Sequence, residues 1–179
     1  MNRATPNINT ARLTLRAMRP EDFDRYAEIW AQPEVVRFSG GRPLSRGEAW
    51  NAFLRNAGHW QMTGFGQWAI AEQRTRRMVG HTGFCFSAQG YGADFDPFPA
   101  AGWVLAPEAQ SKGYGVEATS AAHDWFDRIM PGKLVTSVHA EDIGSLRLAA
   151  KLGYEEMQEI THGDDSVVLL RRTGPPAAL

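Results

Sequence analysis

The apolar residues of this chain recur with periods that predict a strand first and helices next. Residues 13–16 read LTLR and alternate apolar with polar side chains, as a half-buried strand does. A helix is predicted after Pro20, because proline suits the first helical position. A second helix is predicted after residues 45–48, SRGE, a capping box in which hydroxyl and carboxylate satisfy each other's backbone amides. This part of the chain is therefore predicted to form one strand followed by two helices.

The rest of the chain predicts six more strands and two more helices. Runs of β-branched and aromatic residues bounded by turn residues indicate the strands, and apolar residues at helical spacing indicate the helices. The strands are predicted near 67–72, 78–86, 102–105, 134–139, 155–160 and 166–171, and the helices near 116–129 and 142–152. The order β-α-α-β-β-β-α-β-α-β-β predicts an α/β protein with seven strands and four helices.

Length, composition and charge narrow the classes of function. The 179 residues, 43% of them hydrophobic and 22% charged, predict a single domain at 1–179 with a core from about 12 to 172 and a Pro/Ala tail. Nineteen Lys and Arg against twenty Asp and Glu give a net charge of -1, which argues against nucleic acid as a partner.

Cysteine and hydropathy patterns add three further expectations. Cys85 is the single cysteine, and no histidine pair stands at ligand spacing with cysteine or carboxylate residues, so no metal site is predicted. No run of about 18 apolar residues predicts a membrane span. The first residues lack an apolar signal segment, and a cytoplasmic location is therefore expected.

The clearest chemical signal is the segment 110–115, QSKGYG, between a predicted strand and a predicted helix. Free backbone amides and the positive end of the helix dipole attract anions at such a place. A P-loop is excluded, because Lys112 precedes Gly113 and no glycine-lysine-hydroxyl sequence follows. A purely structural turn, in which the glycines only permit positive φ angles, stays open on this segment alone.

A dinucleotide-binding fingerprint competes for the same turn. Gly113, Gly115 and Ala118 fit the pattern Gly-x-Gly-x-x-Gly/Ala, and Glu141 follows a later strand near the usual acidic position. Two observations oppose this interpretation. Residues 106–110 separate the strand from the glycine turn, and the residues after His139 predict one helix and a hairpin rather than further β-α units.

With strand, turn and helix in this order, residues 110–115 resemble the Gln/Arg-x-x-Gly-x-Gly/Ala signature of the GNAT superfamily of acetyl-CoA-dependent acyltransferases. Further segments are similar to the ribosomal-protein N-terminal acetyltransferase branch of that superfamily. They are LTLR at 13–16 with PED at 20–22, WAI at 68–70 with GHTGF at 80–84, GWVL at 102–105 with PE at 107–108, AEDIGS at 140–145, and KLGY at 151–154. The resemblance covers residues 12 to 172.

The resemblance implies a GNAT fold, with a mixed, mostly antiparallel sheet of about seven strands flanked by four helices. The fourth and fifth strands of that fold, here ending near Leu105 and at 134–139, splay so that their unmatched backbone groups bind the pantetheine arm. Amides of residues 110–116 would hold the pyrophosphate of coenzyme A. The implied cofactor-binding residues are Val104, Leu105, Ala106, Gln110, Ser111, Lys112, Gly113, Tyr114, Gly115, Val116, Asp142 and Ser145.

The reaction implied by the resemblance is direct attack of a neutral amine on the acetyl thioester. Ser145 stands where this branch has a hydroxyl near the coenzyme sulfur, so it is predicted to be catalytic as the proton donor, alone or through a water. The alternative is an ordinary hydroxyl in the first turn of a helix. Asp142 stands where the family usually has Asn, and it is expected to cap the helix through the amide of Ser145 or to orient the amine.

No general base is identified by these patterns, although unperturbed imidazole titrates near neutrality. His81 and His139 lie in predicted strands and are candidates, with a hydrogen-bonded strand histidine as the alternative. His59 and His123 are predicted to lie on polar, solvent-exposed helix faces.

The implied function is an N-acetyltransferase that takes acetyl from acetyl-CoA to a primary amine. A peptide or protein N-terminus is the leading acceptor, and a small amine such as an amino acid, polyamine or amino-sugar antibiotic is the second. Two alternatives stay open, a nicotinamide-dependent oxidoreductase and a non-catalytic acyl-CoA-binding regulator. Asp142 and the lack of a carboxylate at 99–102 favour the regulator. Formation of a homodimer is also compatible with the sequence.

Overall fold

A computed structural model of the protein describes residues 4–176. The strands within this range are β1 (Ile8–Asn9), β2 (Leu13–Arg16), β3 (Gln67–Glu72), β4 (Met78–Cys85), β5 (Ala100–Leu105), β6 (Leu134–His139), β7 (Glu155–His162) and β8 (Asp165–Arg172). The α-helices are α1 (Phe23–Trp30), α2 (Pro33–Val36), α3 (Arg46–Thr63), α4 (Tyr114–Ile129) and α5 (Ile143–Lys151). Short 3-10 turns lie at Pro20–Asp22 and Pro107–Ala109.

Over residues 4–176 the eight strands form one mixed sheet in the order β1-β2-β3-β4-β5-β6-β8-β7, accompanied by five α-helices. The predicted α/β class is confirmed, but the predicted counts of seven strands and four helices are each one too low. The additional elements are β1, with two residues, and α2, with four. Both are too short to show a period in the sequence.

The described residues divide into two compact units. The first unit runs up to Gly83 and includes Trp103–Ala122, and the second consists of Phe84–Gly102 and the residues from His123 onward. In the first unit, β1 pairs with β2, β2 with β3 and β3 with β4, all antiparallel. The single domain expected at 1–179 stays a prediction.

Helix α3 begins at the predicted capping box. The Ser45 hydroxyl accepts the amide of Glu48 at 3.3 Å, and the Glu48 carboxylate accepts the amide of Ser45 at 2.8 Å. Gly64 ends the helix with a φ of 82°, a left-handed conformation that glycine adopts without steric cost. Local sequence therefore sets both ends of α3.

The core of the first unit packs α1 and α3 against the sheet. Its buried cluster consists of Tyr26, Ala49, Phe53, Ala69 and Met78. Burial of a large apolar side chain of this kind stabilises the fold by about 1.5–3 kcal/mol. A nearly buried ion pair also fixes the entry to α1, because Arg16 donates two hydrogen bonds to Asp22, at 2.6 and 2.8 Å.

In the second unit, β6 pairs antiparallel with β8 and β8 with β7, whereas β5 runs parallel to β6 with Ala100 opposite Val135. The mixture of directions agrees with the predicted mixed sheet. A buried cluster of Phe95, Ala100, Val135 and Leu169 forms part of its core. The splaying of β5 from β6 around a cofactor stays a prediction.

The prediction that His123 is exposed is wrong. The side chain is 3% exposed, and its Nε2 lies 2.9 Å from the hydroxyl of Tyr154. Its ring also forms a T-shaped contact with Phe84, with ring centroids 5.0 Å apart. A buried hydroxyl partner removes the penalty for burying an imidazole, and helical spacing alone cannot show such a partner.

Candidate functional site

The turn at residues 110–113 connects the 3-10 turn Pro107–Ala109 to α4, and its backbone is unusual. Ser111 and Gly113 have φ angles of 59° and 79°, both in the left-handed region. Glycine enters that region readily, whereas an L-residue such as serine does so at a cost of about 1–2 kcal/mol. Ser111, Lys112 and Gly113 are exposed. An unfavourable backbone conformation at an exposed turn is typical of ligand-binding segments.

The first turn of α4 continues this segment. The amide of Glu117 donates to the carbonyl of Gly113 at 3.1 Å, which is a regular helical hydrogen bond. The amides of Tyr114, Gly115 and Val116 precede it, in the part of an α-helix whose amides have no intrahelical acceptor. Together with the helix dipole, they favour a negatively charged ligand. The seven residues predicted to bind the pyrophosphate, 110–116, therefore form the turn at 110–113 and the first three residues of α4, a segment whose amides can bind phosphate.

Two side chains that the sequence patterns did not indicate hold this turn. One lies directly before β2 and the other is the last residue of β3. Arg12 donates through Nη1 to the carbonyl of Lys112 at 2.9 Å. The Tyr114 hydroxyl donates to Oε1 of Glu72 at 2.7 Å, and this hydrogen bond lowers the pKa of the Glu72 carboxyl. Arg12 and Lys112 are separated by 100 positions, so no local pattern could have connected them.

The predicted pantetheine segment lies at the end of β5. Val104 and Leu105 are half-buried, and the amide of Ala106 donates to the carbonyl of Val79 at 2.8 Å. Gly80 permits this close approach of β4, because a Cβ built on it would lie 2.1 Å from the carbonyl oxygen of Val104. The Gln110 side chain donates to the carbonyl of Leu105 at 3.2 Å. Contacts with β4 and the turn thus fix the backbone of residues 104–106.

The remaining predicted site residues lie at the start of α5, in the second unit. Asp142 is the N-cap of this helix, and its Oδ1 accepts the amide of Ser145 at 3.0 Å. The expected capping interaction of Asp142 is therefore present. Ser145 is half-buried in the first helical turn. Roles of these two residues toward a cofactor stay predictions.

His139, a candidate base at the end of β6, makes contacts through both ring nitrogens. Its Nδ1 accepts the amide of Glu141 at 3.1 Å, and its Nε2 lies 3.4 Å from Oδ1 of Asp165. An accepting Nδ1 leaves the ring proton on Nε2, directed at the carboxylate. These contacts hold the chain that leads from β6 into the cap of α5.

His81, the other candidate base, is buried in the first unit. Trp30 donates to its Nε2 at 3.2 Å, and its Nδ1 lies 3.0 Å from Oε1 of Gln67. Its ring also stacks on Tyr26. Burial, with a smaller contribution from the charge of Arg55, lowers the pKa of His81 to about 4. The neutral ring and its two partners indicate a structural role.

The described part of the chain, residues 4–176, contains neither a metal-binding cluster nor a membrane-spanning helix. No group of three or more His, Cys, Asp or Glu side chains in that range has the geometry to hold a metal ion. None of its helices combines the length and apolar character needed to cross a membrane.

Comparisons with known proteins place this site in context. A family model described as an acetyltransferase (GNAT) domain matches residues 12–155. The chain is similar to the structure of a protein described as a GNAT-family acetyltransferase from Bordetella pertussis. The two share 27% identity over 94% of this chain and 99% of that chain, with a TM-score of 0.85.

Two further structures are similar. An acetyltransferase from Agrobacterium tumefaciens str. C58 shares 27% identity over 94% of each chain, with a TM-score of 0.79. The acetyltransferase yncA from Salmonella typhimurium, solved with its cofactor acetyl-CoA, shares 17% identity over 93% of this chain and 99% of that chain, with a TM-score of 0.68. At that identity the likeness concerns the fold alone.

Proposed function

Because this chain belongs to the GNAT acetyltransferase family, we propose that it transfers the acetyl group of acetyl-CoA to a primary amine. The observation that carries the proposal is the exposed turn at residues 110–113, which leads into α4 with left-handed Ser111 and Gly113. The turn lies inside the segment that the family model matches. Its backbone amides lie in the segment where the family signature implies that the pyrophosphate of the cofactor binds.

The residues of the turn suit a pyrophosphate in charge and in shape. Alternating left-handed residues turn successive amides toward one side and create a concave anion site. Lys112 lies between Ser111 and Gly113 and is exposed, so its ammonium can approach a phosphate as a flexible cation. Tyr114, Gly115 and Val116 add the amides of the first helical turn. Of residues 104–106, Ala106 already donates its amide to the carbonyl of Val79, so the backbone of Val104 and Leu105 would pair with the pantetheine amides.

Acetyl-CoA would supply an acetyl thioester to this site. The amine nitrogen forms a bond to the carbonyl carbon, the carbon–sulfur bond breaks, and the departing thiolate takes up a proton, while the proton lost by the nitrogen returns through water to the group that protonated the thiolate. We assign the proton that the thiolate takes up to the Ser145 hydroxyl, directly or through a water. Asp142, engaged with the amide of Ser145, fixes the first turn of α5 and thereby the position of this serine.

The acceptor we propose is the amino group of a peptide or protein N-terminus. The support is the similarity of segments at 13–16, 102–105 and 140–145 to the ribosomal-protein acetyltransferase branch. A small amine is the second candidate. The two differ in size and in the groups flanking the reacting nitrogen, so an acceptor panel distinguishes them.

The experiment is release of free coenzyme A thiol from acetyl-CoA in the presence of short peptides with different N-terminal residues, or of small amines. The proposal expects release with peptides, and none with the same peptides after their N-termini are blocked. Release only with small amines would move the acceptor to the second candidate. Tight binding of acetyl-CoA without release for any amine would instead indicate a regulator.

The role of Ser145 is tested with the active acceptor. Ser145→Ala is expected to lower kcat by about 10²-fold, which is the lower end of the rate enhancement that general acid–base catalysis supplies. The Kd for coenzyme A should stay nearly unchanged. Ser120→Ala is the matched control, because Ser120 is a half-buried helical serine in α4 outside the proposed site. An unchanged kcat in Ser145→Ala would reject the assignment.

A further inference from the structure

Arg12, directly before β2, contacts both sides of the turn that leads into α4. Its Nε donates to Oε2 of Glu117 at 2.7 Å, and its Nη1 donates to the carbonyl of Lys112 at 2.9 Å. Its guanidinium carbon also lies 4.7 Å from the centre of the Tyr114 ring, a cation–π distance. One side chain thus joins the turn at Lys112 to the first residues of α4.

Glu117 anchors this arginine. Its Oε1 accepts the backbone amide of Arg12 at 2.8 Å and the hydroxyl of Thr10 at 2.6 Å, while Oε2 accepts the guanidinium. Burial alone would raise the pKa of Glu117, but the hydrogen bonds from Thr10 and Arg12 outweigh it, so the pKa is lowered. Glu117 is therefore ionised at neutral pH, and its charge holds the guanidinium in place.

The contact with Lys112 controls the direction of an amide. The carbonyl of Lys112 and the amide of Gly113 belong to one peptide unit, which is planar and trans, so the two groups point in opposite directions. Because Arg12 binds the carbonyl, the Gly113 amide is directed away from Arg12. The neighbouring left-handed angles at Ser111 and Gly113 need such outside contacts to persist.

We propose that Arg12, held by Glu117, is a positioning residue that fixes the peptide between Lys112 and Gly113 so that its amide faces the cofactor pyrophosphate. This role rests on the proposed function. Arg12 acts through the turn, so its removal should affect ligands that carry a pyrophosphate and spare a ligand that lacks one.

The test is calorimetric binding of three ligands to wild type and variants. Coenzyme A and dephospho-coenzyme A both contain the pyrophosphate, and pantetheine does not. Arg12→Ala is compared with Arg77→Ala, a control that removes the same charge from a similarly exposed site. The Arg77 side chain is 58% exposed against 48% for Arg12, and its ion pair with Glu28 is long, at 3.8 Å.

We expect Arg12→Ala to weaken binding of coenzyme A and dephospho-coenzyme A about tenfold each, because the turn loses a hydrogen bond from a charged group. The Kd of pantetheine should stay at its wild-type value. Arg77→Ala should leave all three dissociation constants unchanged. Equal weakening of all three ligands in Arg12→Ala would mean a general structural defect and would overturn the positioning role.

Glu117→Gln provides a second variant if Arg12→Ala does not fold. It removes the charge that anchors the guanidinium while keeping the size of the side chain, and it must show the same selectivity for pyrophosphate ligands. Wild-type affinity in both variants overturns the positioning role alone. Failure of wild-type protein to bind coenzyme A overturns the proposed function, and the positioning role with it.

Discussion

The turn before α4 and the turn before α5 both lead into a helix, but different parts of the sequence hold them. In the first, the carbonyl of Lys112 is bound by Arg12, 100 positions earlier. In the second, Asp142 binds the amide of Ser145, three positions later. The first turn is therefore held by a side chain from a distant part of the sequence, whereas the helix that follows the second turn is capped by a residue three positions away.

Acid should produce the largest effect, by lowering the stability of the unit that contains the turn before α4 through protonation of His81. The pKa of His81 is lowered from 6.5 to about 4, chiefly by burial. The unfolded chain therefore binds a proton more readily between these values. Stability is full above about pH 6.5 and falls as the pH decreases to about 4, by up to about 3 kcal/mol.

The measurement is urea unfolding from pH 8 down to pH 4 for wild type and His81→Gln. Glutamine can donate and accept hydrogen bonds but does not titrate in this range, so the variant should show a flatter pH dependence. Identical pH profiles for the two proteins would show that His81 is not the group responsible.

Removal of the cap of α5 should have an intermediate effect. Asp142→Ala is expected to lower the free energy of unfolding by about 1 kcal/mol, because the amide of Ser145 loses its acceptor. Asp142→Asn keeps a capping oxygen and should stay close to wild type. An equal loss in both variants would mean that the turn before α5 is not held by this cap.

The smallest expected effect is relief of backbone strain in the turn before α4. Ser111 has a φ of 59°, which glycine adopts at lower cost. Ser111→Gly should raise the free energy of unfolding by about 0.5 kcal/mol, the steric gain less the added chain entropy. Ser120→Gly, inside α4, should lower it by about 0.5 kcal/mol. Destabilisation by Ser111→Gly would contradict the inferred strain.

The difference between local contacts and contacts over long sequence distances also explains which features the sequence could predict. The capping box at Ser45 and Glu48 and the cap at Asp142 act within three residues, and both predictions agree with the structure. The turn at 110–116 was predicted as an anion site from its glycines and its position before a helix. In the two caps the pattern and the interaction lie in one short segment, whereas the anion site at 110–116 stays a prediction.

Other features depend on residues distant in sequence and could not be predicted in this way. Arg12 and Glu117 meet only after β2 and α4 pack together, so their contact leaves no local signal. His123 is buried because Tyr154 offers a hydroxyl, 31 positions away. The additional elements β1 and α2 are two and four residues long, too short for a detectable period.

The most direct test of the central claim is a calorimetric titration of acetyl-CoA into wild type, Gly113→Val and Gly163→Val. Both glycines have positive φ angles, 79° and 65°. A Cβ at Gly113 would lie 3.3 Å from Nη2 of Arg12, whereas a Cβ at Gly163 would have no atom within 4 Å. The two substitutions therefore impose similar backbone strain, but only one affects the proposed site.

Wild type is expected to bind acetyl-CoA, Gly163→Val to bind it equally well, and Gly113→Val to bind it about thirtyfold more weakly, corresponding to roughly 2 kcal/mol of strain. Absence of binding to wild type, or wild-type affinity in Gly113→Val, would contradict the assignment of residues 110–116 as the acetyl-CoA site.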